Sequence, residues 1–129
     1  MSRHPPWLVQ WTVVIHAAFE PELLQLAPAV RRELLAQARM LEAFGPGLGR
    51  PKVDTLSGSR YANMKELRFK ADDGVGRAAF AFDPKQRAII LVAGNKAGVG
   101  QQRFYRQPVA KADARYGAHL AELNERKRT

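Results

Sequence analysis

No cysteine occurs in the 129 residues, which excludes disulfides, iron–sulfur clusters and thiolate metal sites and points to a reducing compartment. Long apolar runs are also missing. No uninterrupted stretch approaches the ~20 residues of a membrane helix, and the opening Met1-Ser2-Arg3-His4-Pro5-Pro6 has none of the apolar core of a secretory signal. The expectation is a soluble cytoplasmic protein that does not associate with membranes. Histidine is scarce: His4, His16 and His119 are far apart and lack metal-ligand spacing. Each reads as surface or structural, so neither a metal site nor histidine-based cleavage is expected. The glycine-rich run from Gly94 to Gly100 does not match the spacing of a phosphate-binding loop. Ser57 and Ser59 have no histidine arrangement nearby in the sequence, which leaves a serine hydrolase without support.

What is present is a globular composition, 46% hydrophobic and 26% charged, in a length that suits one domain with a real core. A single domain over residues 1–129 is expected, with an ordered core at about 8–124 and a frayed basic tail. The net charge of +9 is unevenly placed. Residues 1–49 carry as many acidic as basic side chains, whereas residues 50–106 hold twelve basic against five acidic ones, seven of the twelve being arginine. Arginine forks onto phosphate, so a polyanionic partner is expected, with RNA, DNA and an acidic protein all qualifying.

Hydrophobic periodicity sets out the elements. Val9, Trp11, Val13 and Ile15 alternate with polar neighbours as in a half-buried strand. A short helical turn around Leu23 to Leu26 is interrupted by Pro28, which suits the first turn of a longer helix to Phe44. Val30, Leu34, Ala38 and Leu41 form one stripe on that helix, and Gly45-Pro46-Gly47 ends it. Residues 45–59 read as loop. Met64 to Lys70 and Arg77 to Phe82 alternate on either side of the turn Asp72-Asp73-Gly74, and Ala88 to Ala93 is apolar on both faces, as in an interior strand. A last helix is predicted from about Pro108, with Val109, Ala112, Tyr116, Leu120 and Leu123 on one face. Core burial is expected for Trp7 and Trp11. Strand, helix pair, three-strand meander and closing helix make an α+β fold with a mostly antiparallel sheet. The helix pair covers one sheet face, and Glu66, Arg68 and Arg77 project from the other.

Two arginines on neighbouring strands suit the stabilisation of phosphorane charge in RNA cleavage by a 2′-hydroxyl, a reaction that also needs a base and an acid but no metal. Arg60, Lys65, Lys70, Lys96, Arg103 and Arg106 extend the cationic surface, and Tyr105 can stack on a base or transfer a proton. Glu66, between Lys65 and Arg68, equally invites a plain ion-pair reading.

The runs Leu41-Glu42-Ala43-Phe44-Gly45, Leu48-Gly49-Arg50-Pro51, Leu56-Ser57-Gly58-Ser59, Lys65-Glu66-Leu67-Arg68-Phe69 and Gly76-Arg77-Ala78-Ala79-Phe80-Ala81-Phe82-Asp83 resemble the RelE/HigB toxin superfamily in its phage-derived HigB-like branch. Ile89 to Gly94, Lys96, and Phe104-Tyr105 followed by Ala112-Asp113 are similar to that branch's ending, so the resemblance spans roughly residues 9 to 125. It implies a RelE-like microbial ribonuclease fold, metal-independent cleavage of mRNA on the ribosome without a cofactor, and a helix-turn-helix antitoxin as partner. Operator DNA would be contacted only through the antitoxin complex. It also implies that Arg68 and Arg77 contact the scissile phosphate, that Lys96 supplies a cation after the last strand, and that Tyr105 holds the position of the aromatic residue that stacks or acts as base. Relatives of the RelE type carry lysine near position 66, where this chain has glutamate. The alternative reading is a non-catalytic RNA- or antitoxin-binding module of the same fold, of prophage origin.

Overall fold

Every stretch with period-two alternation that the computed structural model describes is a strand, and the strands join in one sheet. The structure describes residues 11–71, 74–95 and 101–128, and Lys96, His4 and Trp7 lie outside them. The elements are β1 (Thr12–Ile15), α1 (Glu20–Gln25), α2 (Pro28–Phe44), a 3-10 turn (Gly45–Gly47), β2 (Val53–Thr55), β3 (Met64–Ala71), β4 (Gly74–Phe82), β5 (Arg87–Asn95) and α3 (Gln101–Arg128). The sheet order is β1-β5-β4-β3-β2. All pairings are antiparallel except β1 with β5.

The α1–α2 pair covers one face of the sheet. Leu34, Ala38 and Leu41 of α2 meet Leu67, Phe69, Ala78, Phe80 and Ile90 in one buried cluster. Pro28 stands in the first turn of α2, where the missing N–H costs nothing. On the opposite face Val109, Ala112 and Tyr116 of α3 pack on Met64, Ala79, Ala81, Ile89 and Leu91. The sheet thus has helices on both sides, and the second face is not open as the strand parity alone suggests.

Four expectations need correction. The 45–59 loop contains β2, three residues that pair with Lys65–Leu67. The last helix starts at Gln101, so Pro108 lies inside it; proline gives up one backbone hydrogen bond there, and the apolar face from Val109 onward holds the helix by burial. The basic tail continues as helix to Arg128, with Arg126 paired to Glu122 one turn back at 3.2 Å. Trp11 is half-buried and not a core residue; it packs edge-on to Phe82 with ring centroids 5.0 Å apart and against Gly45, where a Cβ would stand 2.3 Å from the indole.

β4 and β5 slip register between Ala79 and Phe80, so that Leu91 has no partner on β4. Its carbonyl accepts a hydrogen bond from Nη1 of Arg115 at 2.7 Å. The same guanidinium forks onto both oxygens of Glu22 and so ties α3 to α1 past the edge of the sheet.

Candidate functional site

Arg68 on β3 and Arg77 on β4 are directly opposite in the register, which puts two like charges at cross-strand contact. The carboxylate between them resolves the repulsion. Glu66, two residues before Arg68 and on the same face, pairs across the ladder with Ala79, whose methyl leaves room for the longer side chain to reach sideways. Its Oε2 accepts from Arg68 Nε at 3.0 Å, and its Oε1 stands 3.3 Å from Arg77 Nε without hydrogen-bond geometry. The Glu66 side chain is 3% exposed, Arg77 11% and Arg68 35%. The burial of a carboxylate at this depth is tolerated because two guanidiniums flank it.

Arg68 is braced further. Its Nη1 donates to the Pro51 carbonyl at 3.4 Å and its Nη2 lies 3.6 Å from Asp54, which also meets Arg50 at 3.2 Å. Among the described residues three arginines therefore surround two carboxylates. The ion pairs that Glu66 invites are present, and the guanidiniums they hold are the groups that can fork onto phosphate. Arg50 and Asp54 were not among the sequence candidates; their i, i+4 spacing was the available signal.

The other candidates disperse. Lys70 is exposed and shares Arg68's face of β3, whereas Lys65 has the opposite parity and lies toward the helix-pair side. Arg60 is exposed in the β2–β3 loop, where its backbone N–H donates to Asp113 of α3 at 3.0 Å. Arg103, Tyr105 and Arg106 fall in the first two turns of α3, their side chains outside the described residues, as is Lys96.

His16 and His119, distant in sequence, line one cavity of about 340 Å³ together with Arg87, Glu122 and Arg126. Each is committed to a structural contact. His119 Nε2 is 2.8 Å from Asp83 Oδ2, and Asp83 also accepts from the Arg87 side chain and from the backbone N–H groups of Lys85 and Arg87. These hydrogen bonds hold the Asp83 carboxyl below its ordinary pKa, against the opposing effect of its burial. His16 Nδ1 accepts from the Ala18 N–H, and burial with Arg115 nearby pushes its pKa down. Among the described residues no three acidic or histidine side chains are grouped to hold a metal ion, and no helix is long and apolar enough to cross a membrane.

Residues 21–117 match the model of the phage-derived Gp49-like protein family. A Mycobacterium tuberculosis protein named as toxin HigB2 is 46% identical over 96 residues, covering 73% of this chain and 47% of that protein. The chain therefore spans about half the length of that relative. A second M. tuberculosis protein, named as toxin HigB3, is 43% identical over 97 residues, 72% of this chain and 82% of its own length. A free-state structure of an E. coli toxin RelE variant superposes with a TM-score of 0.51 at 11% identity, covering 79% of this chain and 96% of that one. That likeness establishes a RelE-like α+β fold.

Proposed function

The chain belongs to the phage-derived Gp49-like family within the RelE/HigB superfamily, and from that premise we propose that it is the toxin of a toxin–antitoxin pair that cuts mRNA on the ribosome. The observation that carries the reading is the 43% identity with toxin HigB3 over 82% of that relative's length. The geometry supplies a chemistry to match. A phosphate placed against Arg68 and Arg77 meets two guanidiniums that Glu66 fixes in place before substrate arrives. Such preorganised cations stabilise the phosphorane formed when a ribose 2′-oxygen attacks its own phosphate. In this proposal Tyr105 stacks on a base or moves a proton, Lys96 adds a cation beyond the end of β5, and Arg60, Lys65, Lys70, Arg103 and Arg106 hold the RNA. No metal or cofactor is needed for this attack. The basic surface also suits a helix-turn-helix antitoxin with an acidic contact segment, which would carry the complex to operator DNA.

One observation favours a second reading. Arg68 already spends its donors on Glu66, Pro51 and Asp54, as it would in a module that binds RNA or antitoxin without cutting. Induced expression in a bacterial host, with and without the neighbouring gene, separates the two. Growth arrest with new mRNA 5′ ends inside translated codons, relieved by the neighbour, is the expected result. Intact mRNA and unchanged growth from soluble, folded protein would rule out the nuclease.

A further inference from the structure

Strand β2 is three residues long and accompanies β3 only along Lys65–Leu67. The last contact at that edge is the Arg68 N–H to the Lys52 carbonyl, at 2.7 Å. Past it, no described strand lies beside the outer edge of β3, and a cleft of about 410 Å³ opens there. Among the described residues Lys52, Arg68 and Lys70 contribute three cations to its walls without a carboxylate beside them in the lining, and Pro51 and Val75 give it an apolar ledge. Val75 is 46% exposed, one of four large apolar side chains left in water among the described residues. The Lys52 ammonium is aimed by α2, donating to Oε1 of Gln37 at 3.3 Å.

Two lysines beside Arg68 call for an anion with more than one charge along its length. An apolar ledge beside them suits a flat ring. A nucleotide in a single strand has both, a phosphate on each side and a base with a π-face. Arg68 lines this cleft and also belongs to the Glu66 cluster, so a strand lying in the cleft runs directly to the arginine pair. We propose that the cleft at the β3 edge is an RNA subsite for the nucleotide adjoining the phosphate at Arg68 and Arg77. Lys52 and Lys70 hold its phosphates, Val75 and Pro51 carry its base, and Gln37 is a positioning residue that acts through Lys52. The inference rests on the nuclease reading for its place in the reaction, but binding can be measured without cleavage.

The test is the affinity of a fluorescein-labelled single-stranded RNA hexamer, followed by anisotropy over a range of sodium chloride concentrations. Lys52→Gln and Lys70→Gln should each weaken binding and reduce the slope of log affinity against log salt by about 0.7, the amount for one phosphate contact on a single strand. Gln37→Ala should weaken binding with the slope unchanged, since the charge stays. Lysine variants with native circular dichroism but wild-type affinity and slope would overturn the proposal. So would lysine variants that lose only antitoxin binding, because the cleft would then be a protein-docking site. Lysine-dependent hexamer binding by a chain that cuts no mRNA would uphold the cleft and reject the nuclease, and cleavage with lysine-independent binding would do the reverse.

Discussion

Glu66 Oε1 lies 3.3 Å from Arg77 Nε, in a pair whose side chains are 3% and 11% exposed. Neither charge can be left alone at that depth without a large desolvation penalty. Glu66→Ala is expected to destabilise the fold by about 3–5 kcal/mol, the range for removing one partner of a buried ion pair. Urea denaturation with an unchanged m-value would give this directly. A loss under about 1 kcal/mol, the size of a surface pair, would mean that the carboxylate is not the counter-charge on which Arg77 depends.

A second prediction concerns the close approach of β4 to β3. Gly76 faces Phe69 across the ladder, and a Cβ there would stand 2.2 Å from the Phe69 ring. Gly76→Ala should cost about 1–3 kcal/mol by overpacking. The double variant Gly76→Ala with Phe69→Leu should lose less than the sum of the single losses, as read by thermal unfolding of all three.

Arg115 joins three elements, through Glu22 on α1 and the carbonyl of Leu91, the residue that the register slip leaves without an opposite number on β4. Arg115→Ala should cost about 1–3 kcal/mol, because a carbonyl loses its donor along with the ion pair. Arg115→Lys should recover little, since an ammonium cannot reproduce the fork. Equal stability of the lysine variant and the wild type would show that charge alone suffices.

Stability should fall on acidification in two stages. Burial and Arg115 lower the His16 pKa from its ordinary 6.5, so the unfolded chain binds the proton more readily and stability declines as pH drops from 6.5 toward the folded value. Asp83 and Glu22 are also lowered, Glu22 chiefly by its hydrogen bond from Arg115 and Asp83 by its hydrogen bonds from His119 and Arg87. Their stabilisation is complete above the ordinary carboxylate range and is lost as pH falls through their folded values. His16→Gln should flatten the first stage and leave the second. A His16→Gln profile that keeps the slope just below pH 6.5 would assign it to another group.

Much of this fold is legible in the sequence because its boundaries carry strong local chemistry. Pro28 opens α2 and Gly45-Pro46-Gly47 closes it, and the alternation of Met64–Lys70 and Arg77–Phe82 fixes which side chains share a face. Val53-Asp54-Thr55 gives no such signal, since three residues are too few to show a period and β2 is held by its pairing with β3. The start of α3 is hidden because Pro108 imitates a first-turn proline while standing inside the helix. For the site, parity correctly groups Glu66, Arg68 and Arg77. It cannot reveal that Glu66 is buried, which depends on what covers the face from outside the strand. The meeting of His16 with His119, and of Lys52 with Lys70, likewise depends on strand order and helix placement, which no local pattern carries.

The most direct test of the arginine pair as a catalytic phosphate site is cleavage of ribosome-bound mRNA by the purified chain, comparing wild type with an Arg77→Ala variant whose native fold is verified by circular dichroism. Cuts within translated codons are expected from the wild type, with a rate lowered about 100-fold or more in the variant, as when one preorganised charge-stabilising donor is removed. Cleavage by Arg77→Ala at the wild-type rate, or none by folded wild type, would contradict that role for the pair.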